Sequence, residues 1–125
     1  PLAASRCLDV SKEMVAVLED GFEMAMRGQW QLKYAQAVRS KSFKKLYFIS
    51  AEIEGKLMER KDDIGTWASN SLQPGAGMIL SVSALAKEFS VWPDGSKTRA
   101  EITMFEDGAA ASRDCVRRLI KRGTK

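Results

Sequence analysis

Three runs between residues 30 and 70 place apolar side chains at alternate positions, and on either side of them the apolar spacing lengthens to three and four residues. A period of two belongs to a strand and a period near 3.6 to a helix. The chain is thereby constrained to helix, sheet, helix. From Ser11 to Arg27, Met14, Val15, Leu18, Phe22, Ala25 and Met26 form one stripe, with Lys12, Glu13, Glu19, Asp20, Glu23 and Arg27 opposite it. Ser11 suits the N-cap and Gly28 the C-terminal stop. Gly21 costs about 1 kcal/mol relative to alanine inside a helix, and one helix is expected to run through it.

After Gly28 the period shortens. Trp30, Leu32, Tyr34 and Val38 alternate with Gln31, Lys33, Ala35 and Arg39, the pattern of a half-buried strand. The polar stretch from Ser40 to Lys45 turns the chain into "LYFISAEIE" (Leu46 to Glu54), the strongest strand signal present. Tyr47, Ile49, Ala51 and Ile53 share one face of it, and Phe48, Ser50, Glu52 and Glu54 the other. A charged loop around Lys56 to Asp63 precedes a further strand from Ile64 to Asn70.

The glycines of "LQPGAGMILSV" invite comparison with a phosphate-cradling loop, which requires a strand, then glycines, then a helix N-terminus. Here a short β-type run follows Gly77 and no lysine stands where such a loop needs one, so the segment reads as a proline-glycine reversal between two strands. "SALAKEFS" (Ser83 to Ser90) suits either a helix capped by Ser83 or a continued strand. "WPDG" marks a turn, and Thr98 to Phe105 reads as a strand with Ala100, Ile102 and Met104 on one side. Asp107 caps a last helix with the stripe Ala111, Cys115, Val116, Leu119 and Ile120, ending near Gly123. The expected fold is one α+β domain over residues 1–125. It has an N-terminal helix, a central antiparallel meander of three to five strands and a C-terminal helix packed on one sheet face, the helices sharing that face.

Composition narrows the chemistry. The 125 residues contain no histidine, which removes Ser-His-Asp and Cys-His catalysis and the usual zinc sites. No metal, cofactor or catalytic set is expected. "SFKK" matches S-x-x-K but lacks the companion elements of that nucleophile pattern. Glu52 and Glu54 share a strand face, and Asp62 and Asp63 are adjacent. Paired carboxylates act as glycosidase acid and base only when held in a cleft, so a hydrolase on Glu52 and Glu54 is the least favoured reading. The apolar runs are too short to span a bilayer. The chain opens on Pro1, as a processed chain would, which leaves an export signal upstream open.

The net charge of +4 is concentrated in two places: "RSKSFKK", with Arg39, Lys41, Lys44 and Lys45, and the end of the last helix, with Arg117, Arg118, Lys121, Arg122 and Lys125. The first is a candidate anion-binding patch. Phe43 among its cations would suit base stacking in a single-strand binder, although no nucleic-acid module accompanies it. The second opposes a helix dipole. Trp67 and Trp92, with Trp30, are candidates for lining a groove, against the commoner role of partial core. Cys7 and Cys115 either form a bridge, should the first and last helices cover the same sheet face, or are two independent thiols. A bridge would imply an oxidising compartment.

The runs "YFISAEIEG", "DIGTWASNSL", "MILSVSALAKEFSVWPDGSKT" and "DGAAASRDCV" resemble a group of small exported or lipoprotein-type proteins of actinobacteria, a likeness spanning about Tyr34 to Val116. The resemblance implies a location outside the cytoplasm and no particular activity; the basic C-terminal segment departs from the group's pattern. The leading expectation is a non-enzymatic, secreted or cell-surface binding domain for a protein or small ligand. The alternative is a cytoplasmic basic module contacting nucleic acid through the patch at Arg39 to Lys45 and the last helix.

Overall fold

A computed structural model describes residues 6–22, 30–55, 63–75 and 77–123. The elements in order are β1 (Leu8–Asp9), α1 (Lys12–Asp20), β2 (Trp30–Arg39), β3 (Tyr47–Gly55), β4 (Ile64–Ser69), β5 (Ile79–Ser81), α2 (Ala84–Phe89) and α3 (Asp107–Gly123). The strands form one antiparallel sheet in the order β1-β2-β3-β4-β5, each pairing with its neighbour in sequence. The expected α+β meander is thus observed with five strands. Among the described residues no helix is long and apolar enough to cross a membrane.

The first two helices form where pattern and cap agree, whereas α3 starts at Asp107 itself, so that residue lies inside the helix and its carboxylate meets Arg6 instead of serving as the expected cap. Ser11 accepts from the Met14 amide at 3.1 Å, and Met14 and Leu18 are the buried face of α1. The helix stops at Asp20 with Gly21 as its C-cap, instead of running on towards Gly28. The reason is tertiary. The Trp92 indole packs against Gly21 where a Cβ would collide, and its Nε1 donates to the Leu18 carbonyl at 3.3 Å. Phe22 then bridges to Ser90 in the manner of a strand. Residues 23–29, where the longer helix was expected to end, lie outside the described residues, as do residues 56–62 of the charged loop.

The Ser83–Ser90 segment resolves as helix, with the Ser83 hydroxyl accepting from the Ala86 amide at 3.1 Å. The strand expected from Thr98 to Phe105 does not form. The Asp94 carboxylate caps a 3₁₀ turn spanning Gly95–Lys97, accepting from the Ser96 amide at 2.9 Å. The Ile102 amide then returns to the Gly95 carbonyl at 2.9 Å, across a Glu101 held at φ 50°. Local side-chain and backbone bonds curl this segment and remove it from any ladder.

The helices occupy both faces of the sheet, not one. Met14, Leu18 and Phe22 of α1 and its extension, with Ala86 of α2, share a cluster with Ile49, Ala51, Ile53 and Trp67. Phe48, Ala68 and Leu80, which point the opposite way, cluster with Ala109 at the start of α3, and Val38 clusters with Ala111 and Cys115. Both faces being covered, every residue of β4 is buried. A bulge in β2 sets the parity. Lys33 pairs with Glu52 but Gln36 pairs with Ser50, so one extra residue is inserted near Tyr34, whose φ is 58°. It turns Leu32 and Ala37 to the α1 face and Val38 to the α3 face, whereas strict alternation had put Leu32 and Val38 together.

Candidate functional site

Hairpin register brings the first basic cluster to one end of the sheet. Arg39 closes β2 opposite Tyr47 of β3, and Tyr47 in turn lies opposite Ser69 of β4. The connecting loop is built rather than loose. The Ser40 hydroxyl accepts from the amides of Ser42 and Phe43 at 3.1 and 3.0 Å, and the Ser40 amide donates to the Leu46 carbonyl at 2.8 Å. Phe43 packs against the cluster containing Leu46 and Phe48. That contact leaves Phe43 half-buried, so that part of the ring expected to stack on bases is held against the core. Lys45 adopts φ 54°, a left-handed backbone that costs a lysine of order 1 kcal/mol.

The proline-glycine reversal after β4 folds beside this hairpin. Ser69 and Ser71 exchange bonds, the Ser71 amide donating to the Ser69 hydroxyl and that hydroxyl to the Ser71 carbonyl. The Ser71 hydroxyl accepts from the Gln73 amide. Asn70 Oδ1 accepts from the Met78 amide at 3.1 Å, and it lies so close to Gly77 that any Cβ there would collide with it. Gly75, at φ 74°, supplies the reversal itself. These glycines therefore shape a loop wall.

Between the two loops lies an open cavity of about 340 Å³, lined by Arg39, Lys45, Tyr47 and the loop residues 70–73. Of the candidate patch, the fold brings Arg39 and Lys45 together here; Lys41 and Lys44 are exposed on the hairpin tip and do not line it. Among the described residues no carboxylate pairs with either lining cation. The Arg39 carbonyl accepts from Arg6, whose guanidinium also meets Asp107 at 3.2 Å, tying the end of β2 to the start of α3. Tyr47 and residues 70–73 were not foreseen as site residues. Their signal was present only as the register of two hairpins, which no single run of sequence displays.

The other candidates fall elsewhere. Trp67 lines no groove: it is 0% exposed, with Nε1 donating to Ser90 at 3.1 Å, because helices close the face on which it lies. Trp92 is half-buried against the same cluster, and Trp30 packs on Phe89 with ring centroids 5.2 Å apart and planes tilted by 45°. Glu54 meets Lys33 at 3.0 Å and accepts from Gln31. The hydrogen bond from Lys33 holds its carboxyl below the usual range, the reverse of what a general acid needs. Cys7 and Cys115 are joined by a disulfide with Cα atoms 5.8 Å apart. The bond does not require α1 and α3 to share a face, because Cys7 precedes β1 and packs with Cys115 and Val38 on the α3 side. Among the described residues no three metal-ligating side chains converge.

No family model, no curated protein and no solved structure matches the chain.

Proposed function

We propose that this chain is a non-enzymatic, extracytoplasmic binding domain that presents a ligand or partner site at the open end of its sheet. The observation that carries the reading is the Cys7–Cys115 bond, which joins residues 108 apart and pins the segment before β1 to α3. Disulfides of this kind persist in oxidising compartments and are reduced in most cytosols. The likeness to exported actinobacterial proteins supports the same location. Binding rather than catalysis is favoured by the state of the one carboxylate pair considered for chemistry: Glu54 is engaged by Lys33 and Gln31 on a solvated strand face.

The test is the thiol state of the protein in its native source. Cells are quenched with an alkylating reagent and the protein is digested without reduction for mass spectrometry. A linked peptide pair carrying Cys7 and Cys115 is expected. Two alkylated cysteines would refute the extracytoplasmic assignment.

A further inference from the structure

We infer that the cavity between the two loops is a phosphate-binding site, with Arg39 and Lys45 as its charged ligands. The inference rests on the sheet-end location of the binding site proposed above, and it does not depend on compartment.

Its donors are one-sided. The Arg39 guanidinium and Lys45 ammonium bring two positive charges, and no acidic residue lines the cavity. Tyr47 adds a hydroxyl. Asn70 spends its amide oxygen on Met78, and its NH₂ is a further donor among the lining residues. A site of donors without carboxylates selects an oxyanion. Two cations match the charge of roughly −1.5 to −2 on a phosphate monoester at pH 7 better than the single charge of a carboxylate. The planar guanidinium gives paired bonds to two phosphate oxygens, and the ammonium a third contact. Leu72, packed on the apolar core beside these groups, offers a nonpolar edge to whatever carries the phosphate. The volume exceeds what a bare phosphate needs and falls at the low end for small-molecule pockets.

The backbone supplies an independent observation. Lys45 is one of three non-glycine residues with positive φ among the described residues, and it lies in the cavity wall. A glycine would hold that turn with less strain. Strain of this kind persists where surrounding structure enforces it and clusters at ligand sites. Here it sets the position of an ammonium.

The experiment titrates inorganic phosphate into the purified, oxidised chain in low-salt buffer free of other oxyanions, followed by amide chemical shifts. Saturable binding with Kd near or below about 1 mM is expected, with shifts confined to residues 39–47 and 69–78. Arg39→Ala should weaken it about tenfold or more, an effect in the range for a charge-assisted contact. Lys45→Gly removes the ammonium and relieves the backbone, so binding should fall while thermal stability is kept or raised. Lys12→Ala, an exposed cation outside the cavity, should leave binding unchanged. Sedimentation with phosphatidic acid vesicles, whose headgroup is a phosphate monoester, against phosphatidylcholine vesicles separates the sources. Arg39-dependent vesicle binding assigns the phosphate to a lipid headgroup, and phosphate binding without it assigns a soluble phosphorylated molecule.

Absence of saturable phosphate binding overturns the inference, as does a response to Lys12→Ala equal to that of Arg39→Ala. Binding to an oligonucleotide that depends on the C-terminal cations and not on Arg39 overturns it too. Each of these leaves the disulfide measurement, and the assignment resting on it, untouched.

Discussion

On one face of the sheet Trp67 lies in a single apolar cluster with Leu18, Ile49 and Ile53, closed by the short helices α1 and α2. On the other, beneath the 17-residue α3, three buried hydroxyls pass a chain of hydrogen bonds. Ser50 lies 2.7 Å from both Thr66 and Ser112, and Ser112 donates to the Ala109 carbonyl at 2.9 Å. Each hydroxyl has one proton. Ser112 has committed its own, so Ser50 donates to Ser112 and Thr66 donates to Ser50. The first face is held mainly by volume and tolerates swaps of similar shape away from one edge, where the buried Ser81 and Ser90 hydroxyls meet at 3.0 Å and Ser90 accepts from the Trp67 indole. The second is held by direction: each hydroxyl must meet its partner, and among the described residues no buried side-chain polar atom lacks one. Short helices suffice where a large ring fills the space. The hydroxyl face carries a longer helix and the disulfide.

Trp67→Ala should cost most, about 3–5 kcal/mol, since it empties the middle of the apolar cluster; urea unfolding reads it. A loss below that of the disulfide would reverse the ranking of the two faces. Replacing Cys7 and Cys115 by serine should cost about 2–4 kcal/mol, with α3 amides losing hydrogen-exchange protection before those of α1. Uniform loss would mean that the two faces unfold as one unit and differ only in composition.

Ser50→Ala should cost about 1–3 kcal/mol because it strands the Thr66 proton, whereas Thr66→Val should cost less because Ser50 still donates to Ser112. Combining the two should recover part of the Ser50→Ala loss. Simple additivity in denaturant unfolding would show that direction does not govern this face. The smallest effect concerns the rim of the apolar face. Asp94 accepts from the Ser96 hydroxyl and meets Lys87 of α2 at 3.1 Å. Chiefly through Ser96, its carboxyl is lowered from 3.8 to about 2. A lowered folded-state value contributes stability that is present above pH 3.8 and lost as pH falls towards 2. Protection of α2 amides should therefore drop over that interval, and Asp94→Asn should flatten the dependence. The α3 hydroxyls do not titrate, so an equal drop in α3 would remove the contrast.

Much of the architecture is legible in local spacing. The stripe at Met14 and Leu18, the alternation through Ile49, Ala51 and Ile53, and the stripe ending at Ile120 identify their elements because burial repeats with the period of the backbone. Three features escape that logic. The bulge near Tyr34 inserts one residue and inverts the parity of β2 without altering its composition. Ile102 and Met104 keep a strand-like spacing, yet the segment curls because Ser96, Asp94 and Gly95 satisfy its backbone locally. Ser50, Thr66 and Ser112, unremarkable as small polar residues, become the interior of one face only when α3 covers them. Of the cavity, the cations Arg39 and Lys45 could be picked out by charge, while Tyr47 and Asn70 carry no signal until two hairpins lie side by side.

By itself the sequence determined the order and kind of the main elements, the lack of histidine chemistry, and the presence of two cysteines that a bond could join. Spacing and composition are local quantities, and these conclusions need nothing more. Tertiary structure decided that helices close both faces, that Trp67 is core and not groove, that Cys7 reaches Cys115, and that two of four patch cations share a cavity. Each depends on residues far apart in the chain arriving at one place, which is settled by strand register and by which face each helix can bury.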